Sequence, residues 1–150
     1  MKISYKIPCC RKSLRDIRSF VSKQLSSYEL SQKAKNQIIL AIDEACANAI
    51  IHGNKCDETR ELNLELDFDD QRMRVDIFDI GDYQPVPSKV DEYDVNERVK
   101  NRTKGGLGLR LMHVIMDKVS YRDEGDKTIC SLTKEMRNID RIQNDQSGPR

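Results

Sequence analysis

Glu44 and Asn48 stand four residues apart in Glu44-Ala-Cys-Ala-Asn48-Ala-Ile-Ile-His52-Gly53. On a helix that spacing puts both side chains on one face, and His52 adds a third polar position along the same line. The neighbours Ala45, Cys46, Ala47 and Ala49 are small, which leaves room for a ligand beside the carboxylate and the amide. Glu44 can accept a proton. The Asn48 side chain offers a neutral oxygen of the kind Mg2+ prefers. Taken alone, the pair also fits a solvated polar stripe.

Asp79 closes the run Met73, Val75, Ile77, Asp79, whose alternation gives all four residues one strand face. That face is apolar, and an ionised carboxylate on it is costly unless paired. The exocyclic amino group of adenine is a suitable donor, and Gly81 lets the backbone approach a flat base closely. A strand-end turn in which Asp79 bonds local backbone is the alternative. Thr128 shares parity with Cys130 and Leu132, so it points inward and needs a partner for its hydroxyl. It can help Asp79 hold a base, or serve as a β-branched strand residue. Further along, Lys104-Gly105-Gly106-Leu107-Gly108-Leu109-Arg110 runs straight into a helical pattern. Bare glycine amides and a helix N-terminus suit phosphate, with Lys104 and Arg110 supplying nearby positive charge. The chain has no G-x-x-x-x-G-K-[ST] sequence, and no strand leads closely into the glycines as a dinucleotide fingerprint requires. Each motif is weak by itself. Their order, spacing and the type of element carrying each read as an ATP site built without a Walker loop.

The elements that must position these residues follow from hydrophobic period. Residues 2–7 alternate like an edge strand and stop at Pro8. Leu14, Ile17, Val21 and Leu25 define a helix over 11–27, with Ser13 and Asp16 at capping-box spacing. Ser31 caps a second helix expected to run to about His52, with Gly53 just past its end. Leu62, Leu64, Leu66 and Phe68 then alternate with polar residues, Asp69-Asp70-Gln71 makes a turn, and a second strand follows as a hairpin. Residues 82–104 contain Pro85, Pro87 and many charges, and read as a loop with a short helix around 92–99. A helix from about Leu107 to Asp117 is expected to turn Leu107, Leu111, Val114 and Ile115 inward. Strands 118–123 and 127–134 close the fold around a turn at Glu124-Gly125-Asp126. The domain so defined spans 1–136, and residues 137–150 read as a polar, frayed tail. The expected architecture is an α+β sandwich: a mixed, mainly antiparallel sheet with three helices on one face.

Bulk properties narrow the remaining classes. A chain of 150 residues is one ordinary domain. With 26 basic and 25 acidic residues there is no electrostatic case for direct binding to nucleic acid or to an acidic membrane. No apolar run approaches the roughly 20 residues of a membrane span, and the N-terminus lacks a signal-peptide core; a cytoplasmic protein is expected. The five cysteines, an odd count with no C-x-x-C pair, read as reduced thiols. His113 lies among apolar helix residues and reads as structural, and neither histidine has the neighbours of a transition-metal site.

These residues resemble the GHKL ATPase superfamily, which includes gyrase and the ATP domains of histidine kinases, and within it the anti-sigma-factor serine kinases. Glu44 to Gly53 is similar to that family's N box, Asp79-Ile-Gly81-Asp82-Tyr-Gln-Pro85 to its first glycine box, and Gly105 to Leu109 with Met116 to Tyr121 to its second box and following strand. The likeness covers about residues 3 to 134. It implies the two-layer Bergerat-type sandwich, with ATP and Mg2+ as cofactors. Asn48 would hold Mg2+, Asp79 would bind adenine, and Gly105 to Leu109 would cover the phosphates as part of a lid. Glu44 would be the base that activates a serine or threonine hydroxyl. His52, Gly81, Lys104 and Thr128 complete the implied nucleotide site. The implied partners are a STAS-domain antagonist protein as substrate, a sigma factor held inactive, and a second copy of the chain in a homodimer. Arg11, Arg15 and Arg18 form a basic line on the first helix, which in the family contributes to partner docking; a solvated face is the other reading. An ATP-gated partner-binding switch without phosphate transfer is the alternative function.

Overall fold

The computed structural model describes residues 2–53, 57, 59–80, 110–124 and 127–139. Strand β1 (Lys2–Pro8) leads to helices α1 (Ser13–Leu25) and α2 (Gln32–Ala47), and a π-helical segment (Asn48–Gly53) follows directly. Strands β2 (Glu61–Phe68), β3 (Arg72–Ile80), β4 (Lys118–Glu124) and β5 (Lys127–Glu135) complete one sheet of order β1-β2-β3-β5-β4. A third helix, α3, is described over 110–115. Every described strand pair is antiparallel, where the sequence suggested a mixed sheet.

Register makes the inner face explicit. Tyr5, Leu64, Ile77, Cys130 and Tyr121 lie in one line across the five strands. Ile3, Leu66, Val75, Leu132 and Val119 form the next. A third line runs Ile7, Leu62, Asp79, Thr128, so the two polar residues sit side by side at one end of an apolar face. Ile17, Val21 and Leu25 of α1, Ile38, Ala41, Ile42, Ala45 and Cys46 of α2, and Met112 and Ile115 of α3 join the buried apolar residues of the strands in one core. Tyr5 stacks on Phe20 with ring centroids 4.3 Å apart, which fixes α1 against the edge strand.

Local chemistry sets the element ends. The Ser31 hydroxyl accepts from the Ala34 N–H at 3.0 Å and caps α2 as its sequence suggests. The expected capping box on α1 does not form. Lys12 is the N-cap and makes no side-chain cap bond; Ser13 is buried, and its hydroxyl donates to the Pro8 carbonyl at 2.8 Å. That carbonyl ends β1 and also accepts from the Cys10 N–H at 2.9 Å. In the β2–β3 turn, one Asp69 oxygen accepts from the Gln71 and Arg72 N–H groups at 2.7 and 2.9 Å.

Two helix expectations need correction. α2 is not α-helical to His52: the pattern changes after Ala47 into the π segment. α3 turns Met112 and Ile115 inward, with Met116 buried just past its end, leaving Leu111 40% and Val114 75% exposed. Apolar residues surround this helix, so periodicity could not select its buried side. Leu107 and the 82–104 stretch lie outside the described residues. Packing continues beyond Met136 through a 3-10 turn, and Ile139 belongs to the core. Asp117 fastens this end: its carboxylate accepts from the Glu135 N–H at 2.6 Å and the Asn138 amide at 3.1 Å.

Candidate functional site

Glu44 and Asn48 occupy the last turn of α2 and its junction with the π segment. The backbone N–H of Asn48 still reaches the carbonyl oxygens of Glu44 and Ala45, so the one-turn relation of the two side chains survives to that point. Beyond it the hydrogen-bond ladder widens. π turns inside helices are rare and concentrate at functional sites; no sequence signal announced this one. Asn48 is buried and takes part in an interaction there, and Glu44 is half-buried. Desolvation raises the Glu44 carboxyl above its ordinary value, and the neighbouring Asp43 charge raises it further. A carboxylate so perturbed is a stronger base than a free one. His52 lies on the π segment, and its side chain is outside the described set.

Asp79 is 3% exposed and Thr128 4%. They face each other across β3 and β5 in register, at the separation where paired side chains touch a common group. Asp79 is engaged in an interaction in the folded chain. The register row runs from Ile7 and Leu62 through Asp79 and Thr128 to Asp123 of β4, so a buried carboxylate and a buried hydroxyl adjoin an apolar stretch of the sheet.

The buried thiols tie the helix half of the site to the sheet half. Burial pushes the Cys46 thiol well above its ordinary value, and Cys130, Asp43 and Cys9 add to the effect in that order. Burial likewise pushes Cys130 up to about 12. Cys46 lies midway between Glu44 and Asn48, while Cys130 is two residues from Thr128 and opposite Ile77, two residues from Asp79. Cys46 of α2 and Cys130 of β5 belong to the same buried core. Gly81, Lys104, Gly105, Gly106, Leu107, Gly108 and Leu109 lie outside the described residues.

Arg15 and Arg18 are exposed on α1. Arg18 donates from Nη1 to Asp43 Oδ1 at 2.8 Å, joining α1 to α2 one residue from Glu44. Sequence reasoning missed Asp43, because nothing in its spacing from Arg18, 25 residues away, signals the contact. Among the described residues no helix is long and apolar enough to cross a membrane.

The α+β sandwich, with Glu44 and Asn48 on one helix and Asp79 and Thr128 paired at a sheet end, is that of a histidine kinase-like ATPase domain. The family model described as the histidine kinase-like ATPase domain matches residues 8–134, and the chain belongs to that family. Curated relatives are serine-protein kinases. The chain is 31% identical over 121 residues to the serine-protein kinase RsbW of Bacillus licheniformis, covering 79% of this chain and 72% of that one. It is 28% identical over 146 residues to RsbW of Bacillus subtilis, covering 95% and 90%. With RsbW of Staphylococcus aureus it shares 32% identity over 117 residues, covering 75% and 70%. Two solved structures share the fold. One holds the RsbU and RsbW domains of a Mycobacterium tuberculosis protein, with TM-score 0.64 at 15% identity, over 95% of this chain and 34% of that one. The other is the SiaB–SiaC complex of Pseudomonas aeruginosa, with TM-score 0.58 at 13% identity, over 89% of each chain.

Proposed function

We propose that this chain is an ATP-dependent protein serine/threonine kinase that phosphorylates a STAS-domain antagonist protein and sequesters a sigma factor. The observation that carries the reading is a half-buried Glu44, raised in basicity, one helical turn from the buried amide of Asn48. The names of the curated relatives support it. On this reading the protein works in the cytoplasm as a homodimer.

Each residue has a distinct task. The Asp79 carboxylate accepts from the exocyclic amine of adenine, and the Thr128 hydroxyl backs it. Asn48 lends its side-chain oxygen to Mg2+. Among the described residues no group of three His, Cys, Asp or Glu side chains converges on a metal; a single amide ligand suits an ion held mainly by phosphates and water. Lys104 and the amides of Gly105 to Leu109 cover the phosphates, with His52 and Gly81 lining the site. ATP supplies the phosphoryl group when bound. Glu44 takes the proton from the substrate hydroxyl, and holding that hydroxyl in line is the chain's main contribution to phosphoryl transfer. Arg15 and Arg18 face the partner.

The test is incubation with labelled Mg·ATP and host lysate, beside a Glu44→Gln variant shown to bind ATP. One small acid-stable phosphoprotein, absent with the variant, is the expected result. Intact ATP binding with no labelled protein would replace this reading with the ATP-gated binder.

A further inference from the structure

The Arg18–Asp43 ion pair spans the seam between α1, which carries Arg15 and Arg18 but begins after Arg11, and the helix that carries Glu44. Its two ends are unequally shielded. The Asp43 side chain is 17% exposed and the Arg18 side chain 47%. Asp43 accepts from Nη1, whereas a guanidinium carries five N–H donors in a planar fork. The Arg18 side chain is about half exposed, and Arg15 on the same helix is exposed too. A second carboxylate, from a partner with an acidic surface, can therefore be accepted without stripping Asp43 of its counter-charge. Full transfer of Arg18 to the partner would instead leave a shielded carboxylate next to Glu44 with no cation, a costly arrangement.

We infer that Asp43 is a positioning residue: it fixes the Arg18 guanidinium so that an acidic surface of the protein substrate docks in register with Glu44. A free arginine loses rotamer entropy when it is immobilised on a partner, and a guanidinium already held loses less. The ion pair also sets the distance between docking face and base, because Asp43 and Glu44 are consecutive on one rigid helix. The inference rests on the reading of Glu44 as the base and of α1 as the docking face.

The experiment is a double-mutant cycle on Asp43→Asn and Arg18→Ala, using the purified phosphoacceptor identified by labelling. Phosphate-transfer kinetics are read alongside calorimetric affinity for ATP and for the phosphoacceptor. Asp43→Asn should raise KM for the protein substrate about two- to fivefold, the range for a partly exposed ion pair, with ATP affinity unchanged. It should add nothing in the Arg18→Ala background, and Asp43→Glu should recover part of the loss. Three results overturn the inference: a lower KM with Asp43→Asn, which would make Asp43 a competitor; no change; or full additivity. An Arg18→Ala variant with normal KM refutes the docking face and Asp43's role together, while leaving the Glu44 assignment standing. Phosphate transfer that survives Glu44→Gln refutes the catalytic reading alone, and the calorimetric cycle still reports the Arg18–Asp43 coupling.

Discussion

Asp79→Asn isolates one charge at the end of the inner sheet face. The substitution keeps shape and volume, so the register with Leu62 and Thr128 should hold. What changes is the acceptor offered to the nucleotide base. A hydrogen bond to a charged group at a buried site contributes about 1.5–3 kcal/mol, and a donor left facing a donor adds a desolvation cost of similar size. If the amide turns its oxygen to the base, only the charge is lost and the effect is about 2 kcal/mol. If its neighbours hold the NH2 towards the exocyclic amine, the effect reaches about 4 kcal/mol. The corresponding loss in ATP affinity is about 30- to 700-fold. Calorimetric titration with Mg·ATP measures it, and urea denaturation without nucleotide checks the fold. Asp79 is buried and engaged in an interaction of the folded chain, so the stability of the variant is read beside its ATP affinity. A folded Asp79→Asn protein that binds ATP within about threefold of wild type would refute the adenine assignment.

Glu44→Gln should abolish phosphate transfer while retaining ATP affinity. In the wild-type enzyme the acidic limb of transfer, where Glu44 protonates, should lie above the ordinary glutamate value of about 4.3, because burial and Asp43 both disfavour the charged form; a limb at or below that value on a pH–rate profile would contradict this environment. Ser31→Ala removes the α2 cap and should cost about 1 kcal/mol by chemical denaturation. Val114→Ser, at a position 75% exposed despite its apolar helix context, should change stability by less than about 0.5 kcal/mol. A thiol reagent should modify Cys10 in the native protein and reach Cys9, Cys46 and Cys130 only on unfolding, since these three are buried and Cys130 is pushed up to about 12; mass spectrometry of the labelled protein reads the order.

Much of the fold was legible because its strands have one apolar face. Parity alone put Asp79 and Thr128 on the core side, and the observed register set them opposite each other. The Ser31 cap was legible for a similar reason: a hydroxyl just before a helical pattern has a free N–H within reach. Where several local solutions compete, sequence was a poorer guide. Ser13 had two uses for its hydroxyl, and burial against Pro8 won over capping. α3 is apolar on more than one side, so its orientation was decided by Met112 and Met116 fitting the core rather than by any stripe. The π segment after Ala47 depends on how α2 meets the sheet, which no local pattern encodes.

The Arg18–Asp43 contact belongs to the same illegible class, and it changes how the basic line on α1 should be understood. Read as a row of like charges, Arg11, Arg15 and Arg18 differ only in position. In the folded chain Arg18 is held by a carboxylate from α2, whereas Arg15 lies exposed on α1. Charge reversal at Arg15 should thus affect encounter with an acidic partner, chiefly through long-range attraction that salt screens. Reversal at Arg18 should also set two carboxylates against each other across the α1–α2 seam. The difference is measurable: raising ionic strength should shrink the Arg15→Glu defect in partner association, while an Arg18→Glu defect should persist. Equal salt sensitivity for the two variants would mean that α1 acts only as a diffuse cationic surface, with no register between docking and Glu44.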